Sequence, residues 1–400
     1  MDSPISIHEI NNNIFGLNKF TGEILQFDSL LEAEVFQNGL KVVPITQEVL
    51  TDDIDSVTLT IELNYVCNLS CVYCYQADKG SRCEISQSII DMIIDYASSV
   101  YNKCSFKKLF LRFIGGEPLL SMNKLFYCYE KFCVFCHDRN IVLYVHLDTN
   151  GTIAMTELIC RIPNIDIFVC LSLPDDHNNM RSGSFECILR NLEEVSTLSS
   201  ESITLRYNIS HNNINDFEKF LIFIREMLPN IKSVLTARID DYYCKSCFTN
   251  NISTRDFAIW NSTIGINLLI KHGFPIYHCT KSGVKRCQGY APYSCKIHSD
   301  GMVTVCDAMP HKQADVHIET MIENPSILEL VYPSIKTYSP FSDSDCSRCN
   351  NLVQCGGKLF CRDNREACDY QDNYVERLFV ETFLRHYLNG ESHYFINMLR

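Results

Sequence analysis

The sequence has little that would tie it to a membrane or to nucleic acid. No run of about twenty apolar residues, the length that spans a bilayer, occurs along the chain. The start, Met1-Asp-Ser-Pro-Ile-Ser-Ile-His8, lacks the basic opening and apolar core of a secretory signal. Basic residues are outnumbered, 35 Lys and Arg against 48 Asp and Glu, for a net charge of −13. No basic cluster offers a path for phosphates, so nucleic acid is not an expected partner, whereas a neutral or basic peptide suits an acidic surface. Tandem repeats and low-complexity tracts are also missing. The expected location is the cytoplasm, without a membrane partner. Cysteine is the residue that is not scarce, at 22 in 400 residues. In a reducing compartment these cannot mainly be cross-links, and iron–sulfur ligation explains several of them.

Cys67-Asn-Leu-Ser-Cys71-Val-Tyr-Cys74 is the most informative stretch. Three thiols at this spacing can hold three irons of a cubic cluster and leave the fourth iron open for chemistry. The preceding Val57-Thr-Leu-Thr-Ile-Glu-Leu-Asn64 is rich in β-branched residues and predicts a strand. The triplet therefore falls on the loop where a parallel barrel keeps its chemistry. Structural zinc is the weaker alternative, since it uses four ligands in two separated pairs and no histidine lies nearby.

A second strand is predicted at Lys108-Leu-Phe-Leu-Arg-Phe-Ile114, and it runs into Gly115-Gly116-Glu117-Pro118. Two glycines let backbone approach a ligand closely, and a glutamate can accept hydrogen bonds from an ammonium group. With the triplet and the aromatic Tyr73 before its last cysteine, this combination resembles the radical S-adenosylmethionine enzymes. The resemblance implies a 4Fe-4S cluster on Cys67, Cys71 and Cys74. It also implies S-adenosyl-L-methionine beside Tyr73, Gly115, Gly116, Glu117 and Pro118, with Glu117 receiving the amino group of the cofactor. Thr149-Asn150-Gly151 resembles the TNG turn of the family, and Ser172 resembles a serine that contacts the cofactor. Arg181, at the end of Asp175-Asp-His-Asn-Asn-Met-Arg181, resembles the arginine that reaches the cofactor carboxylate, a task suited to a guanidinium fork. The stretch departs from the family in being short and in carrying Leu173-Pro174 where an aspartate and a glycine are usual; the alternative is a solvated polar loop.

Strand and helix patterns alternate through the middle of the chain, as in a parallel sheet with crossover helices. Further strands are predicted at 141–147, 167–173, 203–209 and 232–238, and helices at 85–102, 121–137, 184–197 and 214–227. The fold class is α/β. Six β/α units fit between about residues 57 and 240, resembling the partial (β/α)6 barrel of this superfamily.

The last third carries Cys287, Gly301, Cys306, Cys346-Ser-Arg-Cys349, Cys355, Cys361 and Cys368, a pattern close to the SPASM domain, a scaffold for two auxiliary clusters. By that resemblance Cys346, Cys349, Cys355 and Cys368 hold one 4Fe-4S cluster, and Cys287, Cys306 and Cys361 the other. Cys295 is the favoured fourth ligand there and Cys279 its rival. The spacer from Cys355 to Cys361 is longer than usual and is taken as an enlarged loop. Zinc competes for the paired cysteines, and Cys244-Lys-Ser-Cys247 is equally well a loop pair without metal. Cys128, Cys133, Cys136, Cys160, Cys170 and Cys187 sit among apolar residues and are expected to act as small hydrophobes. Asp307 follows Cys306 directly, and in sulfatase maturases of the family an aspartate at the corresponding place is the proposed proton acceptor; a strand-end carboxylate facing water is the alternative.

The expected organisation is a small N-terminal module over 1–52, a barrel over 53–245, a bridging segment over 246–278, an auxiliary-cluster domain over 279–375 and a C-terminal helix over 376–400. Within the module, Ile7–Ile10 and Ile14–Leu17 predict strands joined by Asn11-Asn-Asn, and Leu30–Phe36 a helix. So small a unit cannot bury much core alone and must pack on the barrel. It looks short for a leader-peptide-binding domain. The function implied is a radical maturase that forms a carbon–carbon or carbon–sulfur cross-link in a ribosomally made precursor peptide, with flavodoxin or ferredoxin as external reductant. An anaerobic sulfatase maturase making formylglycine is the nearest alternative, and a zinc- or cluster-bearing peptide-binding protein the alternative from another class. Three cubic clusters predict about twelve irons per reconstituted chain, falling to about eight when Cys67, Cys71 and Cys74 are all alanine. Anaerobic iron analysis checks this, and about four irons with zinc bound instead would make the C-terminal cysteines structural.

Overall fold

The computed structural model describes residues 5–18, 24–39, 54–74, 84–199, 202–239, 251–278, 289, 291–307, 309, 311–336, 373–391 and 395–397. Compact packing divides the chain into two units, one comprising Met1–Asp52, Ile252–Cys287 and Tyr338–Arg400, the other Asp53–Asn251 and Gln288–Thr337. The expected 279–375 domain is thus shared between them.

In the first unit β1 (Ile5–Ile10), β2 (Asn13–Asn18) and β3 (Ile24–Phe27) form an antiparallel sheet, followed by α1 (Leu30–Gly39). Asn11 and Asn12 both take positive φ, 50° and 61°, between the paired residues Ile10 and Asn13. This is the two-residue hairpin that asparagine tolerates and whose twist matches the strands. The module finds its core in the C-terminal helix Asn373–Leu388, where Phe383 and Leu384 are buried with Ile10 and Phe15. That helix also meets the chain at Ser262, whose carbonyl accepts a hydrogen bond from Thr382 Oγ1 at 2.8 Å.

The second unit holds six parallel strands in sequence order: β4 (Ser56–Glu62), β5 (Lys108–Ile114), β6 (Val142–Thr149), β7 (Ile165–Cys170), β8 (Ile203–Ile209) and β9 (Ser233–Arg238). The crossovers contain α2 (Gln87–Cys104), α3 (Met122–Arg139), α4 (Thr156–Arg161), α5 (Pro174–Met180), α6 (Phe185–Leu198) and α7 (Phe217–Met227). All six strand expectations and the four long helices fall within a few residues of these bounds. The local signals were strong: Ser86, for instance, caps α2 by accepting from Ile89 N at 3.2 Å. On the other edge of β4 the sheet continues through Cys295–Ile297, parallel to β4, and then antiparallel through Met302–Thr304 and Val316–His317.

Strand alternation gives the sheet two unlike faces. Leu59, Ile61, Leu109, Leu111, Phe113, Leu147, Ile167, Val169 and Leu205 are buried on one. Side chains of intervening positions, including Glu62, Arg112, His146, Asp148, Cys170 and Arg206, point to the other. Behind β8, Tyr207 packs on Phe217 and Phe220 with ring centroids 5.2 and 4.6 Å away, pinning α7 to the sheet. Among the described residues no helix is long and apolar enough to cross a membrane.

Because Phe15 is fully buried in a small cluster, Phe15→Ala is expected to cost about 3–5 kcal/mol locally. Hydrogen exchange should then show lost protection in both the hairpin and residues 381–388, while β4–β8 stay protected.

Candidate functional site

The cysteine loop is held by backbone. After β4, Leu63 N donates to Ile114 O at 2.9 Å, Gly116 N to Asn64 O at 2.9 Å and Glu117 N to Val66 O at 2.7 Å. The chain entering the loop thus lies directly on Gly115 and Gly116. A Cβ on Gly115 would lie 2.8 Å from Asn64 O, and one on Gly116 would collide with the Val66 carbonyl. The glycines admit the cysteine loop to close contact with the end of β5.

Glu117 is likewise engaged by the protein around it. It is fully buried, and its Oε1 accepts from Leu119 N at 3.0 Å and Thr149 Oγ1 at 2.7 Å, while Oε2 accepts from Asn150 N at 2.7 Å. Burial pushes its carboxyl above the usual range despite these bonds and nearby Arg181. Leu119, Thr149 and Asn150 thus take three of the roughly four lone-pair sites that a carboxylate offers. Pro118 begins the short 3-10 turn that Glu117 caps. Asn150 in turn donates to Asn68 Oδ1 at 2.8 Å and to Cys67 Sγ at 3.7 Å, so the TNG turn touches the cysteine loop.

Residues 174–180, where a polar loop was the alternative, form helix α5. The overlooked signal was Pro174-Asp175-Asp176, a proline at the first helical position followed by two acids. The helix delivers Arg181 to the interior, only 5% exposed. Its guanidinium donates to the carbonyls of Cys170 and, at 3.3 Å, Asn150, and it also reaches the Cys71 thiol. Burial raises the Cys71 pKa and Arg181 opposes that rise. Burial likewise pushes the Tyr73 phenol up against the pull of Arg181. Ser172 is buried and lines a small cavity with Tyr73, Cys170, His177, Arg181 and Arg206. The structure therefore gathers Cys67, Cys71, Tyr73, Glu117, Asn150, Ser172 and Arg181 around one end of the parallel strands. Among the described residues no three His, Cys, Asp or Glu side chains are close enough together to hold a metal ion.

Cys170, expected to be an inert small hydrophobe, lies on the polar face. Its Sγ accepts from Arg206 Nε at 3.3 Å and Asn208 Nδ2 at 3.5 Å. Burial would raise its pKa, yet Arg206 and Arg181 outweigh it and shift the thiol toward thiolate. Cys128 and Cys136 behave as expected, burial pushing both up, Cys136 to about 12. Cys295, the favoured auxiliary ligand, is fully buried in its strand, paired in register with Leu59. Burial pushes that thiol up to about 12, as it also raises the Cys71 thiol. Its neighbour Lys296 faces the opposite way and pairs with Glu62 at 3.0 Å. Cys306 is partly buried just after Met302–Thr304. Cys287, Cys346, Cys349, Cys355, Cys361 and Cys368 lie outside the described residues, as do Cys244, Cys247 and Cys279.

Asp307 stands in a charge network that sequence reading missed. Arg112 NH1 donates to Asp307 Oδ2, and its NH2 reaches Asp148 Oδ2 at 3.4 Å. Asp148 also meets His146 Nε2 at 3.1 Å and Arg206 NH2 at 3.2 Å. Beside it, Glu62 pairs with Lys296 and lies 2.8 Å from His298 Nδ1. The alternation in Leu111-Arg112-Phe113 and in Val145-His146-Leu147-Asp148 was the available signal, for it sets every charge on one face. Burial alone would raise the Asp148 pKa, but His146, Arg206 and Arg112 together hold it well below the usual carboxylate range.

With its folded pKa depressed, Asp148 contributes stability above its unfolded pKa, and that contribution fades as pH falls from there toward the folded value. Asp148→Asn is therefore expected to lower the urea midpoint at neutral pH, with the gap to wild type narrowing below about pH 4. Urea titrations across that window check it.

No family model matches the chain. A cysteine-type anaerobic sulfatase-maturating enzyme of Clostridium perfringens (strain 13 / Type A) is 24% identical over 369 residues, 79% of this chain and 92% of that protein. A shorter stretch of 117 residues is 29% identical to an uncharacterised protein of Methanocaldococcus jannaschii, covering 29% of this chain and only 37% of that one. Among solved structures, native anSMEcpe with bound AdoMet and Kp18Cys peptide superposes with a TM-score of 0.61 at 18% identity, covering 84% of this chain and 99% of that chain. Streptococcus suis SuiB bound to precursor peptide SuiA gives a TM-score of 0.56 at 13% identity over 79% of this chain and 74% of that chain.

Proposed function

We propose, because the fold and the sequence relatives of this chain are those of the radical S-adenosylmethionine maturases, that it is an enzyme acting on a peptide. The observation that carries the reading is the convergence of the cysteine loop, Glu117, Asn150 and Arg181 in one hydrogen-bonded site beside Asp307 and its charge network. The donor chemistry fits a cluster and an amino-acid cofactor: three thiols share one short loop, and Arg181 keeps a buried Nε without a hydrogen-bond partner next to Cys71. Cys67, Cys71 and Cys74 would hold the cluster, and Tyr73, Asn150, Ser172 and Arg181 would line the cofactor. When bound, cluster and S-adenosylmethionine would supply a 5′-deoxyadenosyl radical that removes a hydrogen atom from the peptide.

The residues of this chain would then do three things. The Glu117 clamp keeps the cysteine loop seated on β5, and Arg181 sets a positive charge against its thiols. Asp307 accepts the proton released as the peptide radical closes a bond to a second residue. An auxiliary iron–sulfur cluster, for which Cys346, Cys349, Cys355 and Cys368 would be the ligands, would take up the leftover electron, and a flavodoxin- or ferredoxin-type protein would serve as the external reductant. A cross-link in a precursor peptide is the first reading, in line with the likeness to SuiB. Oxidation of a cysteine to formylglycine is the second, favoured by sulfatase-maturating relatives that match most of the chain.

Anaerobic incubation with the Kp18Cys and SuiA peptides, followed by mass spectrometry and hydrazide trapping, separates them. A cross-link joins two residues and leaves no aldehyde, whereas formylglycine gives a hydrazide adduct at one residue. Cleavage of S-adenosylmethionine without change to either peptide would overturn both substrate readings.

A further inference from the structure

We infer that Arg112 is a positioning residue for Asp307, braced from behind by Asp148. The inference rests on the reading of Asp307 as proton acceptor and goes beyond it, because it says what aims that carboxylate. Asp307 follows the short strand Met302–Thr304 and has no regular secondary structure of its own to orient it. Two contacts do so instead. Lys296 Nζ donates to its backbone carbonyl at 3.4 Å, and Arg112 NH1 takes its Oδ2. The other oxygen, Oδ1, is buried and has no hydrogen-bond partner among the described residues. One oxygen of the carboxylate is therefore held by Arg112, and the lone pairs of the other are not taken by any described donor.

Arg112 suits this task because its own place is fixed twice. It lies on β5, paired in register with Thr60 of β4 and His146 of β6. Its second nitrogen reaches Asp148 on β6, and Asp148 is held in turn by His146 and by Arg206 of β8. The guanidinium fork thus spans two carboxylates on separate elements, which a lysine ammonium cannot do in one planar geometry. About a third of the Arg112 side chain stays exposed, with side-chain exposure of 32% against 25% for Asp307, so the pair faces open space on the polar side of the sheet. An ion pair that served stability alone would gain little from such a half-open position.

The test uses the reconstituted full chain with S-adenosylmethionine, dithionite and the Kp18Cys and SuiA peptides in parallel, and reads product formed per 5′-deoxyadenosine released. Arg112→Gln is expected to keep cleavage near the wild-type rate while product per cleavage falls between about tenfold and a hundredfold, the usual effect of a misplaced catalytic group. Asp307→Asn should show the same uncoupling, and the double variant no more than either alone. Arg112→Lys, which keeps the charge but not the fork, should restore part of the coupling. Asp148→Asn should uncouple more weakly and serves as the second probe if Arg112→Gln does not fold by circular dichroism. An unchanged ratio in the folded Arg112 variant, or losses that multiply in the double variant, overturns the inference alone. A wild type that converts neither peptide overturns the functional reading, and the inference with it.

Discussion

The buried carboxylate of Glu117 is the constraint on which the site depends. It sits where β5 ends and binds donors from its own turn, from Thr149 and from Asn150, so one side chain fastens the ends of β5 and β6 together. The same turn donates backbone N–H groups to Asn64 and Val66, the residues that lead into the cysteine loop. A buried carboxylate is tolerated only when its oxygens are satisfied. Here the satisfying donors are the very groups whose positions the site requires. The two preceding glycines complete the arrangement, since a side chain at either would push the loop off β5.

The polar face of the sheet follows from strand alternation and extends the same logic. Alternate residues of β5 and β6 bury Leu111, Phe113 and Leu147 on one face and set Arg112, His146 and Asp148 on the other. Arg112, Arg206 and Lys296 stand there against Glu62, Asp148 and Asp307, with ion pairs at 3.0 Å for Lys296 and Glu62 and 3.2 Å for Arg206 and Asp148. Each cation meets a carboxylate on another strand or loop, Arg206 reaching across β7 to Asp148, so the network ties β4, β5, β6 and β8 to the segment 295–307. Cys170 draws its acidity from the same set, because Arg206 serves both its sulfur and Asp148.

The sequence made legible what repeats along the chain and what clusters within it. Strands β4 to β9 and the long helices announce themselves by periodicity, and the cysteine loop and Gly115–Pro118 by composition. Helix α5 was hidden because seven residues are too few for a 3.6-residue period to register, leaving only its proline and two acids as markers. The roles of Gly116 and Glu117 were hidden for another reason. A motif names residues that matter but does not say which neighbours they meet, and the Val66 carbonyl and the Asn150 amide come from other loops. The surroundings of Cys170 and Cys295 were hidden for the same cause. Both sit in short apolar strands, and only the face each occupies decides that one thiol meets two arginines while the other packs in register with Leu59.

That face also bears on the kind of residue the site would process. Among the described residues Arg112, Arg206 and Lys296 each meet one of Asp307, Asp148 and Glu62, while buried Arg181 meets carbonyls beside the cysteine loop. A charged substrate side chain entering beside these three pairs would compete with an existing ion pair, which burial makes costly. A neutral side chain, such as a cysteine thiol, a serine hydroxyl or an aliphatic carbon, would enter without that cost. Under the function proposed above, this pairing would suit substrate groups that arrive neutral and release their proton only as they react, a requirement that cross-linking at carbon and oxidation to formylglycine share.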